Sequence, residues 1–373
     1  MPNPFSRRYA RALPRLAIGL VVSLVLSTLV LLYAKSKSGD YLERMTDHFH
    51  HARATWTFFV VGLDAYTTPF GVTARRVPYP QTWLTWENHP VAYPPGMFLV
   101  FAVPAALGRY VSLSTLEFGK LVIAYLTLIM HAALWVMGLV MRRLRTTAWC
   151  AFLVFFWIFC VRVSLLGFYD GAWLLTSALA VFAMQRRRHA RAVLWFVASA
   201  LVSYRAACLA PLALVAFWNL HRSAARARTK ALVTAASVAG GMVVVACFAA
   251  LVRYGPKGDD GAHGMAWGYY AYVVLGVGLL VALLVTRGAG PLVGACVALS
   301  SLLSILHAGH NWHGLVCVAP LYALTLAERR PGWVQVLVAA WFVVFMQLAF
   351  GFPPLLWLEE MIRFVERGGA TPA

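Results

Sequence analysis

Residues 35–92 carry Asp40, Glu43, Asp47, Asp64 and Glu87, together with His48, His50, His51 and His89. That is five of the chain's 13 acidic residues in one stretch. Carboxylates and imidazoles are the side chains suited to take a proton from a hydroxyl. Asp40 follows the first apolar run by few residues and opens the stretch Asp40-Tyr-Leu-Glu-Arg-Met-Thr-Asp47, which predicts a short amphipathic helix at a membrane surface. An ionised carboxylate held there suits a general base, with Asp40 favoured and Asp47 the runner-up. The plainer alternative for any one of these acids is a solvated loop residue.

Asp47, His48, His50 and His51 also raise a metal site. Asp47 and His51 are spaced to share a helix face. No third or fourth ligand stands at a diagnostic spacing. The histidines are therefore expected at the surface or against an acceptor, with a divalent metal the lesser alternative. No metal ligand is assigned and no cofactor is implied. Nucleotide-binding and hydrolase signatures of the P-loop, GxGxxG, HExxH, CxxC and GxSxG kinds lack a supporting context.

The rest of the chain must position these groups. Of 373 residues, 61% are hydrophobic and 12% charged, where a soluble domain has roughly 25% charged. Continuous apolar runs such as 16–32, 231–251 and 265–285 predict membrane helices rather than the alternating strands of a barrel. The fold class expected is all-α: a polytopic transmembrane bundle in a single integral domain, residues 1–373. The net charge of +19 comes from short Arg clusters between apolar runs, not from a basic domain. That is the positive-inside pattern and excludes nucleic acid as a partner. The six cysteines fall in or beside apolar segments and read as small buried hydrophobes.

Placing the Arg clusters in the cytoplasm predicts a cytoplasmic N-terminus and about eleven spans. These are 13–34, 117–141, 148–165, 170–185, 192–204, 206–219, 231–252, 265–286, 290–306, 314–327 and 333–352. Residues 35–92 become a large extracytoplasmic first loop bearing juxtamembrane helices. The proline-broken run 93–108 becomes a re-entrant or interfacial segment, and 353–373 an interfacial tail. The same topology gathers Asp40, Asp47, His89, Arg162, Asp170, Arg205, Arg253, Asp259, His310 and His313 on one side. Charges in or near spans mark a site or pathway.

Each of these has a role and a plainer rival. Tyr93-Pro94-Pro95-Gly96 makes a rigid entry to the dipping segment, or simply a helix start. Arg205 cannot shed its proton; its counter-anion is a lipid phosphate or the Asp170 carboxylate. His310 and His313, flanking Trp312, bind a headgroup or anchor the interface.

Several of these segments together resemble the polytopic membrane glycosyltransferases of the C superfamily, in particular the bacterial polyprenyl-phosphate-mannose-dependent type and the mannosyltransferase of GPI-anchor assembly. The matching residues are Asp40-Tyr41 and Asp47, Gly62-Leu-Asp64-Ala-Tyr66, Ala92-Tyr93-Pro94-Pro95, Gly167-Phe-Tyr-Asp170, and Arg205 before Pro211, where Lys is usual. The likeness covers about the first 220 residues. The Asp-x-Asp of some relatives is absent. The resemblance implies transfer of a sugar, mannose or another hexose or pentose, from a polyprenyl-phosphate donor to an acceptor hydroxyl on a glycan, lipid or protein. It implies inversion at the anomeric centre on the extracytoplasmic side, in a multi-pass protein of a bacterial inner membrane surrounded by its lipids. Asp40 or Asp47 is then the base. Arg205, Arg253, His310 and His313 hold the donor phosphate and lipid, and His89, Tyr93 and Asp170 position substrate. The rival reading is a lipid or solute transporter or flippase that transfers no sugar.

Overall fold

The computed structural model describes residues 46–79, 90–91, 93–141 and 169–254, with the single position Val25. The expected spans at 13–34 and 148–165, those from 265 onward, and the tail 353–373 lie outside the described residues, as do Asp40, His89, His310 and His313.

Among the described residues every regular element is helical. Helix α1, Thr46–Val61, contains neither Gly nor Pro. It stops at Gly62, whose φ of 63° suits a residue without Cβ. A 3₁₀ turn, Gly62–Tyr66, follows. Helix α2, Phe70–Arg76, starts behind the extended Pro69. Helix α3, Pro95–Tyr110, starts behind Pro94, with ψ 148°, and runs through Pro104. Helix α4, Thr115–Met141, begins at a reciprocal cap. Ser114 donates from N and Oγ to Glu117 Oε2 at 2.9 and 2.8 Å, and Glu117 N donates back to Ser114 Oγ.

Helices α5, Asp170–Gln185, and α6, His189–Val202, form a hairpin. Arg187 takes φ 55°, while Arg188 N and Arg187 N donate to Ala183 O and Met184 O. This is a Schellman turn with Arg at the position glycine usually fills. A second 3₁₀ turn, Tyr204–Leu209, leads to helix α7, Ala210–Arg222. Helix α8 is Ala227–Tyr254.

α5 packs between α4 and α6, and α6 also meets α3, α7 and α8. α1 packs along α3. Two glycines let backbone approach backbone. A Cβ on Gly171 would lie 3.0 Å from Met130 Cα, and one on Gly96 would lie 2.6 Å from the Leu201 carbonyl oxygen. Between α5 and α6, Ser177 donates to the Trp173 carbonyl at 2.7 Å and accepts from Ser199 at 2.6 Å.

Two stretches, Leu116–Met137 and Ala227–Cys247, are long and apolar enough to cross a membrane by length and composition. Most of the region 93–108, expected as a proline-broken re-entrant or interfacial segment, lies in the single 16-residue helix Pro95–Tyr110. At 1.5 Å per residue it rises about 24 Å, short of the roughly 30 Å apolar core of a bilayer.

One expectation is overturned. His50 and His51 are not surface histidines; they are 4% and 5% exposed. Within the first loop, expected to bear juxtamembrane helices, 46–61 and 70–76 are helical and join the core, with Phe49, Ala52, Ala54, Ala65 and Phe70 buried beside α3 and α4. The aromatic rings of α3 and Tyr169 accept the imidazole faces.

Candidate active site

The site is built where four short segments meet. The first is the 3₁₀ turn Gly62–Tyr66. Its Tyr66 hydroxyl donates to the Tyr93 carbonyl at 2.7 Å. Val91 N donates to Ala65 O at 2.9 Å, so the two segments are tied twice. Tyr66 is buried. Burial raises its phenol well above the usual tyrosine range, and the neighbouring Cys247 thiol adds to the shift. The phenol therefore stays protonated and remains a donor.

The second segment is Tyr93-Pro94-Pro95-Gly96. Its Tyr93 ring lies 4.8 Å from the His51 ring and 6.3 Å from Tyr169. His51 is enclosed by Tyr93, by Phe101 stacked at 5.1 Å and by Tyr169 at 5.1 Å. His50, edge-on to Phe70 at 4.9 Å, sits next to it. Aromatic rings around an imidazole give apolar cover and a negative π-face at once.

The third segment is the start of α5. Tyr169 supplies its ring to the His51 box. Asp170, in the first turn, is buried and accepts the Trp173 indole N–H at 2.7 Å. A carboxylate at a helix N-terminus is favoured by the backbone dipoles. Trp173 is itself held, because its carbonyl accepts from the serine pair of the α5–α6 contact.

The fourth segment is the end of α6 and the turn after it. The backbone of Leu201 and Val202 lies against Gly96, and Tyr204 packs on the same aromatic core as Tyr66 and Tyr93. Arg205 is the next residue of that turn.

Of the residues expected in the site, five fall among the described ones. Asp47 is in the first turn of α1, one turn before His51. Tyr93 and Asp170 are placed with their side chains as above. Arg205 and Arg253 are placed by their backbones. Arg253 ends the half of α8 that brings Cys247 to Tyr66 and Ala250 onto the aromatic core. Tyr93 and the chain neighbours Tyr169, Tyr204 and Ala250 of Asp170, Arg205 and Arg253 pack on one core.

Sequence reasoning missed Trp173, His131 and the enclosure of His51. Trp173 stands three residues after Asp170, a spacing at which helical side chains meet. His131 is the lone histidine of an apolar span; it is buried and its Nδ1 donates to the Thr127 carbonyl at 2.6 Å. An ionisable residue inside so apolar a stretch is itself a signal. Among the described residues no three His, Cys, Asp or Glu side chains are grouped to hold a metal ion.

No family model, curated protein or solved structure matches the chain.

Proposed function

We propose that this chain is a polytopic membrane glycosyltransferase that moves a sugar from a polyprenyl-phosphate donor to an acceptor hydroxyl on the extracytoplasmic side. One observation carries the reading. Among the described residues, four of the segments that bear the resemblance meet, with Tyr66 bonded to Tyr93, Tyr93 beside Tyr169, and Tyr204 in the same core.

The chemistry follows from the donor. The sugar's anomeric carbon already bears a phosphate, a good leaving group. Asp40, with Asp47 as alternative, removes the acceptor proton. The acceptor oxygen attacks the anomeric carbon from the face opposite the phosphate, and the C–O bond breaks with its electron pair passing to the phosphate. Polyprenyl phosphate and the inverted glycoside are the products. Cations aimed at the developing charge lower the barrier; Arg205, Arg253, His310 and His313 supply them. His89, Tyr93 and Asp170 position the sugar. Residues 93–108 dip or lie at the interface, and the isoprenoid tail lies between helices.

Purified protein in lipid, offered a panel of polyprenyl-phosphate sugars with candidate acceptors, is expected to consume one donor. Intact donors throughout, with a lipid-linked sugar carried from one leaflet to the other, would establish the transporter reading instead.

A further inference from the structure

Three tyrosine hydroxyls from three separate segments donate to backbone carbonyls of α3 or its entry. Tyr79 donates to Ala105 O at 3.3 Å, Tyr125 to Val100 O at 2.9 Å, and Tyr66 to Tyr93 O at 2.7 Å. The first two brace the helix body. The third ends on the residue whose ring faces both His51 and Tyr169.

The backbone there has few other means of fixing itself. Pro94 and Pro95 carry no N–H. The first amide of α3 to turn back, that of Met97, goes to Pro94 O and not to Tyr93 O. The Tyr93 carbonyl is instead taken by the phenol of Tyr66. That phenol is buried in one cluster with Cys247 of α8. Gly96 follows at once, with its α-carbon against the Leu201–Val202 backbone, so a shift of Tyr93 is transmitted to the segment that carries Arg205.

We propose that Tyr66 is a positioning residue for the lipid-phosphate sugar donor: its hydrogen bond sets the Tyr93-Pro94-Pro95 entry and thereby the spacing between the Tyr93 ring and the turn bearing Arg205. The inference rests on the transferase reading for its substrate. Its structural half stands apart from it.

Tyr66→Phe removes one hydroxyl. Tyr125→Phe is the control, because it deletes the same kind of bond to the same helix away from the entry. In the full-length protein, amide hydrogen exchange over residues 91–98 is expected to speed up roughly tenfold in Tyr66→Phe, the scale of one lost hydrogen bond. It is expected to stay at the wild-type rate in Tyr125→Phe. With the polyprenyl-phosphate sugar that the wild type consumes, Tyr66→Phe is expected to raise the donor KM roughly tenfold, with kcat within about twofold. Tyr125→Phe is expected to leave both unchanged while lowering stability. Unchanged exchange in Tyr66→Phe overturns the inference whatever the reaction. Faster exchange with an unchanged KM overturns the positioning role alone. Faster exchange in a wild-type background that consumes no donor overturns the transferase reading and, with it, the assignment to a donor.

Discussion

Tyr125 donates its hydroxyl to the carbonyl of Val100 at 2.9 Å, the carbonyl that Pro104 leaves without its usual helical donor. Proline lacks the N–H that would reach back four residues, and an interior proline costs about 3 kcal/mol or more in an unsupported helix. The phenol, supplied from α4, replaces the missing donor. α3 therefore continues from Pro95 to Tyr110.

That pairing makes a double-mutant prediction. Tyr125→Phe is expected to cost about 1 kcal/mol of stability. In a Pro104→Ala background, where residue 104 regains its N–H, the same change is expected to cost less than half as much. Unfolding in detergent measures both. Strictly additive effects would show that the phenol does not serve the proline break.

The two residues also explain what was legible in sequence. Pro104 reads as a break, and without Tyr125 a dipping, interrupted segment is the sound expectation. The phenol that repairs it comes from 21 positions further along the chain, and no local pattern announces it. The long elements α4, α5 and α8 were legible because their apolar runs are continuous, and the turn between α5 and α6 because Arg186–Arg188 interrupts one. Ser114 and Glu117 form a capping box, a readable signal, and place the start of α4 two residues before the expected one.

Gly96 carries the second prediction. Gly96→Ala places a methyl group 2.6 Å from the Leu201 carbonyl oxygen and 2.9 Å from Val202 N. Both neighbours are backbone, so no side chain can swing aside. The cost is expected at about 2–4 kcal/mol, in the range of overpacked sites. Gly241→Ala, with open space around the added Cβ, is the control and is expected to stabilise α8 slightly. Equal stability of the two variants would contradict the close crossing of α3 on α6.

Tyr66 and Tyr79 set a pH dependence. Burial raises both phenols above the ordinary tyrosine range; for Tyr79 the nearby Arg53 offsets part of the shift. A folded-state value above the unfolded one means that the unfolded chain loses these protons first. Stability is therefore constant below about pH 10 and falls as pH rises past it, by at most about 1.4 kcal/mol per pH unit for each phenol. Ultraviolet titration is expected to show Tyr66 and Tyr79 among the tyrosines that ionise only as the protein unfolds, with one fewer of these in Tyr79→Phe. Ordinary titration of every tyrosine would contradict their burial.

The site was legible in its motifs but not in its depth. Gly62–Tyr66, Tyr93–Gly96 and Tyr169–Asp170 were recognisable as short polar or proline-rich punctuation. Their mutual bonds were not, because Tyr66 and Tyr93 are joined through a backbone carbonyl that any residue possesses. The burial of His50 and His51 was hidden for a related reason. Hydropathy counts an imidazole as solvated, whereas here aromatic rings from Phe70, Phe101 and Tyr169 cover it.

The central claim is transfer from a lipid-phosphate sugar with a carboxylate base, and release of polyprenyl phosphate tests it most directly. Wild-type protein in lipid is expected to release one polyprenyl phosphate for each glycoside formed. Asp40→Asn, which keeps size and removes basicity, is expected to lower that rate by about 10²–10⁴ with donor still bound, while Glu43→Gln stays near wild type. Near-normal release in Asp40→Asn would move the base to Asp47, and normal release in both Asp40→Asn and Asp47→Asn, or no release from the wild type with any donor, would contradict the account.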